Sequence, residues 1–140
     1  AIQNNNNQKS KRKPILVKIS PDLSYNEIKD IIDVILEIKI DGVIATNTTL
    51  NRQNLKSENS IIEQEGGLSG VPLKQRSNDV IQYISKYTDG KLPIIGVGGI
   101  NSAEDAIEKI KSGATLIQIY TGFIYQGPGI VKKINKALIS

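Results

Sequence analysis

The sequence contains no cysteine, no methionine and no histidine. Without cysteine it offers no disulfide, no thiolate nucleophile and no thiolate metal ligand. Without histidine it offers no imidazole base and no imidazole ligand, so no metal site is expected. A chain with no methionine at its start is expected to be part of a longer one.

Long apolar runs and an excess of charge across the body are absent as well. No run approaches the roughly 20 apolar residues of a membrane-spanning helix, and residues 1–13 lack the apolar core of a signal peptide. The net charge of +4 arises from Lys9, Lys11, Arg12 and Lys13, and the other 14 basic residues balance the 14 acidic ones. A basic run could touch nucleic acid or anionic lipid, but no aromatic residues interleave with it. We therefore interpret it as a solvated loop, with no nucleic-acid partner.

Residues 1–13 are polar and of low complexity, and we expect a surface loop or a disordered lead-in there. From Pro14 to residue 140, short apolar runs alternate with amphipathic segments. Strands are predicted at 15–19, 43–46, 94–97 and 115–120. Helices are predicted to begin at Ser24, near Leu73, at Ser102 and at Pro128.

The order β-α-β-(loop)-α-β-α-β-α predicts parallel strands joined by right-handed crossovers. Four such units are half of a (β/α)₈ barrel of roughly 250 residues. Because a four-stranded remnant leaves two parallel edges unpaired, we expect that an N-terminal half is missing. The predicted fold class is therefore α/β, the C-terminal half of a TIM (β/α)₈ barrel with strands 5–8. An open doubly wound sheet is the alternative, which periodicity does not exclude.

Polar residues near the ends of the strands favour the barrel. Strands that are buried on both faces should be almost wholly apolar. Instead, Lys18 shares a face with Leu16 and Ser20, and Gln118 shares one with Leu116 and Tyr120. One polar residue per strand near its carboxyl end is typical of a barrel with a ligand site at its top.

The first predicted helix shows both the start signal and the buried stripe of an amphipathic helix. Ser24 and Glu27 have the spacing of a capping box. The apolar residues at helical spacing, which we expect to be buried, are Ile28, Ile31, Ile32, Ile35, Leu36 and Ile38.

Lys18 is a candidate ligand-binding residue because apolar residues flank it within a strand. Such a lysine must extend to solvent, pair with a carboxylate or meet an anionic ligand. A structural salt bridge and a cation beside an electron-rich cofactor ring both remain open.

Three further segments place polar or backbone groups after strands, where barrels bind ligands. Residues 46–49 are four consecutive Thr and Asn residues, and the alternative for them is an ordinary polar turn. The glycine-rich segments 66–70 and 96–99 suit a phosphate, although each could be a tight turn. The segment 120–122 ends the last predicted strand in the same region.

These segments, in this order, resemble the dihydroorotate dehydrogenase family, in particular its membrane-associated, quinone-using class. The segments that carry the resemblance are LVKISPDL (16–23), DGVIATNTTL (41–50), GGLSGVPL (66–73), LPIIGVGGI (92–100) and GATLIQIYTGFIYQGP (113–128). Together they cover the chain from about residue 14 to its end. The asparagine-rich opening matches no part of the family pattern.

The resemblance implies FMN as the cofactor and assigns roles to ten residues. Lys18 would contact the flavin ring near N1 and O2, and Thr46 would also touch FMN. Asn47 and Thr48 would hydrogen-bond orotate or dihydroorotate. The residues implied to hold the ribityl chain and phosphate are Ser69, Gly70, Gly98, Gly99, Tyr120 and Thr121.

The resemblance also implies oxidation of dihydroorotate to orotate, with quinone as the electron acceptor, in the biosynthesis of pyrimidines. The catalytic base of this class is a serine in the N-terminal half of the barrel, so no base is assigned here. The regions that reach quinone and membrane would also precede this segment. The implied location is peripheral, on the cytoplasmic face of a bacterial inner membrane or on the mitochondrial inner membrane.

Three other interpretations remain open. A soluble dihydroorotate dehydrogenase that uses fumarate or NAD would carry an upstream cysteine as its base. An inactive, truncated barrel is consistent with the four-stranded pattern, and on its own such a piece is expected to be inactive. An RNA-binding domain would rest only on the basic residues 9–13.

Overall fold

The computed structural model describes residues 2–8, 12–53, 55, 57–58 and 62–139. The strands are β1 (Leu16–Ile19), β2 (Gly42–Ala45), β3 (Ile94–Val97) and β4 (Leu116–Gln118). The helices are α1 (Ile2–Asn7), α2 (Tyr25–Glu37), α3 (Lys74–Tyr87), α4 (Ala103–Lys111), α5 (Thr121–Gln126) and α6 (Gly129–Leu138). A 3₁₀ turn (Val71–Leu73) leads directly into α3.

The four strands form one parallel sheet in chain order, β1-β2-β3-β4. Doubly wound sheets instead reverse their strand order at a switch point, where ligands bind. Consecutive parallel order is that of a (β/α)₈ barrel. The predicted α/β architecture of alternating strands and helices is therefore confirmed.

The two faces of the sheet differ in burial. One face carries Ile19, Val43 and Ile94, which are buried beneath α2 and α3 in the larger apolar cluster. A smaller cluster joins Ile100 and Ala106 to the buried residues of α6. The opposite face carries, in register, Lys18, Ile44, Ile95 and Leu116, which are exposed or half-exposed. The polar positions predicted to face a ligand therefore lie on the face that the core does not use.

Helix α2 begins as predicted, at the capping box of Ser24 and Glu27. The Glu27 N–H donates to the Ser24 hydroxyl at 3.3 Å, and the Ser24 N–H donates to the Glu27 carboxylate at 2.8 Å. The backbone hydrogen bond from Ser24 lowers the pKa of Glu27. The carboxylate therefore stays ionised at neutral pH, beside the positive end of the helix dipole.

The predicted buried stripe of α2 was partly wrong. Ile28, Ile32 and Ile35 are buried, but Leu36 and Ile38 are 45% and 50% exposed. At about 100° per residue, Leu36 and Ile38 lie roughly 80° to either side of the buried line. They therefore flank the core instead of entering it.

Replacing Ser24 with alanine is expected to lower the free energy of unfolding by about 1 kcal/mol, because two N-terminal hydrogen bonds are lost. Chemical denaturation followed by far-ultraviolet circular dichroism measures the change. Asn26→Ala is the matched control, because Asn26 is an exposed residue two positions after Ser24. It should change the free energy of unfolding much less. Equal losses in the two variants would contradict the role of the cap.

The opening segment differs from the expected loop or disordered lead-in, because residues 2–7 form helix α1. The Asn6 amide donates to the Lys13 carbonyl at 2.6 Å and accepts from the Lys13 N–H at 3.1 Å. Arg12 forms an ion pair with Asp41 at 2.7 Å. These contacts attach the segment to the start of β2, although Lys9 and Lys11 lie outside the described residues.

The last strand is shorter than predicted, and the helix that follows it was missed. Pairing with β3 runs from Leu116 to Gln118 only, because β3 itself ends at Val97. With no partner beyond Gln118, the chain turns at Tyr120 into α5, which begins at Thr121. Tyr120 and Thr121 therefore stand at a helix start and not within a strand.

In the part of the chain that the structure describes, every helix falls short of the length and apolar character needed to cross a bilayer.

Candidate functional site

A cleft of about 700 Å³ opens at the carboxyl ends of the four strands. The cleft is lined by all ten residues that the sequence singled out for cofactor or substrate: Lys18, Thr46, Asn47, Thr48, Ser69, Gly70, Gly98, Gly99, Tyr120 and Thr121. The residues come from five separate segments, which are loops or strand ends. The fold therefore brings together what the chain spreads over more than 100 positions.

Lys18 lies near the carboxyl end of β1, and its exposed side chain lines the cleft. Among the described residues, no carboxylate lies within ion-pair distance of its ammonium. The structural salt bridge that the sequence left open is therefore not formed within these residues. Lys18 presents a positive charge to whatever occupies the cleft.

Thr46 follows β2 directly and is 2% exposed. Its N–H donates to the Val97 carbonyl at 2.9 Å, which joins the ends of β2 and β3. The peptide bond between Ala45 and Thr46 is cis. The Thr46 hydroxyl is buried beside the cleft and has no hydrogen-bond partner among the described residues. Because burying an unpaired hydroxyl costs free energy, this atom is a candidate hydrogen-bonding group for a ligand.

Asn47 and Thr48 stand exposed at the rim of the cleft. The Asn47 N–H donates to the Ile19 carbonyl at 2.7 Å, which fixes the rim against the end of β1. The Asn47 side-chain oxygen accepts from the Thr48 N–H at 3.0 Å. Thr48 also packs so closely against Gly67 that a Cβ there would lie 1.9 Å from the threonine hydroxyl. Two polar side chains are thus held at the mouth by backbone contacts.

Ser69 and Thr121 connect the loop before α3 to the start of α5. The Thr121 hydroxyl donates to the Ser69 hydroxyl at 2.8 Å. Gly70 has φ +82°, and a Cβ there would lie 3.2 Å from the Thr121 methyl carbon. Tyr120 is 72% exposed beside this contact.

Gly98 and Gly99 form the turn between β3 and α4, with φ values of +120° and +71°. A Cβ at Gly99 would lie 2.4 Å from the Cβ of Lys74, in the first turn of α3. The turn therefore packs flat on α3, and its backbone lines the cleft. This arrangement suits a phosphate, because backbone N–H groups approach an anion closely where no side chain intervenes.

Sequence reasoning missed several residues of the site and its support. Gln118 was noticed as a polar strand residue but received no role, and Asn101 and Gln126 line the cleft as well. Asp22 was also missed: its carboxylate accepts hydrogen bonds from the Thr49 hydroxyl and, at 2.8 Å, from the Leu50 N–H. Asp22 thereby connects the loop after β1 to the segment after β2.

The most informative omission lies on α4. Ala106 and Lys109 are completely buried on this helix, whereas Ile107 is only half-buried. Lys109 follows Ala106 by three positions and so lies on the same helical face. A charged residue at an apolar position was the available signal, and it was overlooked.

Comparison with known proteins defines the class of this fold and site. The sequence model of the family described as dihydroorotate dehydrogenase matches residues 2–140. The chain belongs to the dihydroorotate dehydrogenase family, as the resemblance in its motifs indicated. The match includes the asparagine-rich opening, which the motifs did not.

Among curated relatives, a protein of Christiangramia forsetii is 54% identical over 99% of this chain and 40% of its own length. A protein of Trichodesmium erythraeum is 56% identical over 94% of this chain and 36% of its own length. Both carry the name dihydroorotate dehydrogenase (quinone). The chain thus spans about two fifths of the length of these relatives.

Two crystal structures of DHODH from Eimeria tenella share the fold. The complex with ferulenol has a TM-score of 0.85 and 42% identity, over 94% of this chain and 34% of that one. The ligand-free form has a TM-score of 0.86 and 41% identity, over 94% of this chain and 36% of that one. The four-stranded sheet is therefore part of a barrel of the DHODH type.

Proposed function

We propose that this chain supplies the FMN site and part of the dihydroorotate site of a quinone-linked dihydroorotate dehydrogenase. The support is the convergence of all ten candidate residues on one cleft, together with the names that the relatives carry. The reaction is oxidation of dihydroorotate to orotate in pyrimidine biosynthesis, with quinone as the electron acceptor.

The residues of the cleft fit FMN on a specific observation. The buried Thr46 hydroxyl lacks a partner among the described residues, and polar atoms at the flavin edge would supply one. The turn at Gly98 and Gly99 lines the same cleft and would offer its backbone to a phosphate group. The remaining cofactor residues of the cleft would contact the ribityl chain and the phosphate; they are Ser69, Gly70, Tyr120 and Thr121.

When bound, FMN would supply the redox chemistry by accepting hydride from C6 of dihydroorotate. Lys18 would hold its ammonium beside the ring near N1 and O2 and stabilise negative charge there. Asn47 and Thr48, at the mouth, would hydrogen-bond the substrate and orient it. No residue of this chain is assigned as the base that removes the C5 proton.

The partners and location proposed for the whole protein go beyond these residues. The base would be a serine on an earlier barrel strand. The quinone contact and a peripheral association with a bacterial inner membrane, on its cytoplasmic face, or with the mitochondrial inner membrane, would depend on preceding segments. The sequence upstream of Ala1 tests these points: a cysteine at the base position would contradict the quinone-linked class.

The observation that carries the proposal is the unpartnered Thr46 hydroxyl inside the shared cleft. Titration of the protein with FMN, followed by quenching of flavin fluorescence, tests it directly. For the whole protein we expect saturable binding of one FMN per chain, and for these 140 residues alone weak binding or none, because a half barrel leaves two sheet edges unpaired. No binding by the whole protein at millimolar FMN would contradict the proposed site.

Thr46→Val is expected to weaken FMN binding about fivefold, the typical value of one hydrogen bond, without destabilising the ligand-free protein. Valine has the shape of threonine and removes a hydroxyl that is unpaired in the ligand-free site. Fluorescence titration and thermal unfolding measure the two effects. Thr88→Val is the matched control, because the buried Thr88 hydroxyl donates to the Ile84 carbonyl at 2.9 Å. The control should lose stability and keep its FMN affinity, and the reverse pattern would contradict the role of Thr46.

A further inference from the structure

Lys109 is a fully buried lysine, with 0% of its surface exposed, and the proposed roles leave it unused. It lies on α4, and its side chain passes beneath β3: a Cβ at Gly96 would lie 2.6 Å from the Lys109 Cγ. Burying a charged amine costs free energy unless the amine is paired and hydrogen-bonded. Methionine or leucine would fill the same space more cheaply, so a structural role in packing does not explain the amine.

The Lys109 amine is the first member of a hydrogen-bonded chain that ends at the cleft. Its Nζ donates to the Ser77 hydroxyl at 3.0 Å, and that hydroxyl donates to the Val97 carbonyl at 2.7 Å. The Val97 carbonyl also accepts the Thr46 N–H at 2.9 Å. The chain therefore joins the buried amine to the last residue of β3 and, through it, to the first residue after β2.

The amine also lies behind the glycine turn. A Cβ at Gly98 would lie 3.2 Å from the Ser77 hydroxyl oxygen, the same atom to which Lys109 donates. Gly98 and Gly99 in turn line the cleft. One layer of glycine backbone thus separates the Lys109–Ser77 pair from the place where a phosphate would bind.

The groups around Lys109 do not neutralise it directly. On its own helix, the charged neighbours are Asp105 and Glu108, and on α3 the neighbour is Lys74. Both carboxylates pair with Lys74, at 2.6 Å and 2.9 Å, so their charge is largely shared with another cation. β3 and the turn before β4 offer only backbone and apolar groups at Gly96 and Ala114. Desolvation therefore lowers the pKa of Lys109 to about 8.

We propose that Lys109 is a positioning residue for the phosphate of the flavin, acting through Ser77 and the glycine turn. Its ammonium fixes the end of β3 and adds positive potential behind Gly98 and Gly99, which favours a dianionic phosphate on the other side. The inference rests on the proposed FMN site, and it assigns the phosphate end of that site a buried counter-charge.

The proposal has a pH signature that a purely structural role lacks. A bound dianion favours the ammonium form, so FMN binding should raise the pKa of Lys109, and FMN should dissociate more readily once the amine is neutral. Because a phosphate monoester has its second pKa near about 6, FMN itself is dianionic above about pH 7. Affinity for FMN should therefore fall as pH rises from about 7 through the pKa of Lys109, which lies at about 8 in the empty site.

The experiment compares FMN with riboflavin, which has the same ring and no phosphate. Dissociation constants are measured by fluorescence quenching from about pH 7 to 9, a range that spans the amine's titration. For the unaltered protein we expect the FMN constant to rise about fivefold over this range, as for a pKa shift of about one unit from about 8, and the riboflavin constant to stay within about twofold. In Lys109→Met the FMN constant should be about tenfold higher at pH 7 and no longer change with pH. Lys111→Met, which removes an exposed lysine from the same helix, should behave as the unaltered protein.

The outcomes separate the inference from the proposed function. Equal weakening of FMN and riboflavin in Lys109→Met would show that the lysine only supports the fold, and would overturn the inference. So would an FMN affinity in the unaltered protein that does not change with pH, a result that needs no variant to fold. Binding of neither flavin would overturn the proposed FMN site and this inference with it.

Discussion

In the whole protein, Lys18→Ala is expected to slow reduction of bound FMN by dihydroorotate about 100-fold, the usual effect of removing one preorganised charge from an active site. The ammonium is exposed in the cleft and forms no ion pair among the described residues, so its charge is available to the ligand. Anaerobic stopped-flow measurement of flavin bleaching, in the protein loaded with FMN, gives the rate. FMN affinity should fall much less, because the other nine residues of the cleft remain.

Lys132→Ala is the control for Lys18, because Lys132 is an exposed lysine on α6 that lies outside the cleft. Its rate of flavin reduction should be unchanged. If Lys18→Ala reduces FMN at a rate within about twofold of the unaltered protein, well short of the effect of a catalytic charge, the flavin role of Lys18 is wrong. If it fails to hold FMN at all, the residue serves binding and not the chemical step.

Gly99→Ala is expected to destabilise the protein by roughly 3 kcal/mol and to abolish tight FMN binding, because strain and a steric collision coincide there. Gly99 has φ +71°, and the added Cβ would lie 2.4 Å from the Cα of Lys74 and 2.6 Å from its nitrogen. Because the backbone of an α-helix deforms little, the turn must move away from α3. Chemical denaturation and flavin titration measure the two effects.

Substitutions at two other glycines distinguish backbone strain from steric collision as the cause of this loss of stability. Gly90 has φ +67° with nothing within 4 Å of an added Cβ, so Gly90→Ala carries the backbone strain without the collision. Gly129 has open space and no positive φ, so Gly129→Ala carries neither. The expected order of stability loss is Gly99, then Gly90, then Gly129. A loss at Gly90 as large as that at Gly99 would contradict the steric argument.

The sheet and most of the cleft were predictable because they follow from local signals that tertiary packing reinforced. Ser24 with Glu27 marked the start of α2, and glycines marked the turns that approach other backbone. Polar residues after each strand were predicted to meet because parallel strands end at the same edge of a sheet. The structure brings all ten candidate residues to one cleft, although their individual roles remain predictions.

The remaining features depend on contacts that no local pattern contains. Helix α1 is held by Asn6 and Lys13, and a six-residue polar helix has no propensity argument in its favour. Helix α5 begins after β4 loses its partner strand, and the point of that loss is set by where β3 ends. Lys109 is buried because Ser77, 32 positions earlier, accepts its hydrogen bond. In each case the cause lies outside the segment that shows the effect.

Helix α3 contacts two segments at the carboxyl ends of the strands within its first turn, the loop after β1 and the turn after β3. Lys74 lies against Gly99, Ser77 donates to the Val97 carbonyl, and Arg76 donates to the Pro21 and Leu23 carbonyls at 2.8 Å and 2.6 Å. The loop after β1 and the turn after β3 therefore share one support. A shift of this helix would move the cation side and the phosphate side of the cleft together, so the distance between them is set by one rigid element behind the site. A substitution that displaces α3 as a whole should accordingly alter ring and phosphate contacts jointly.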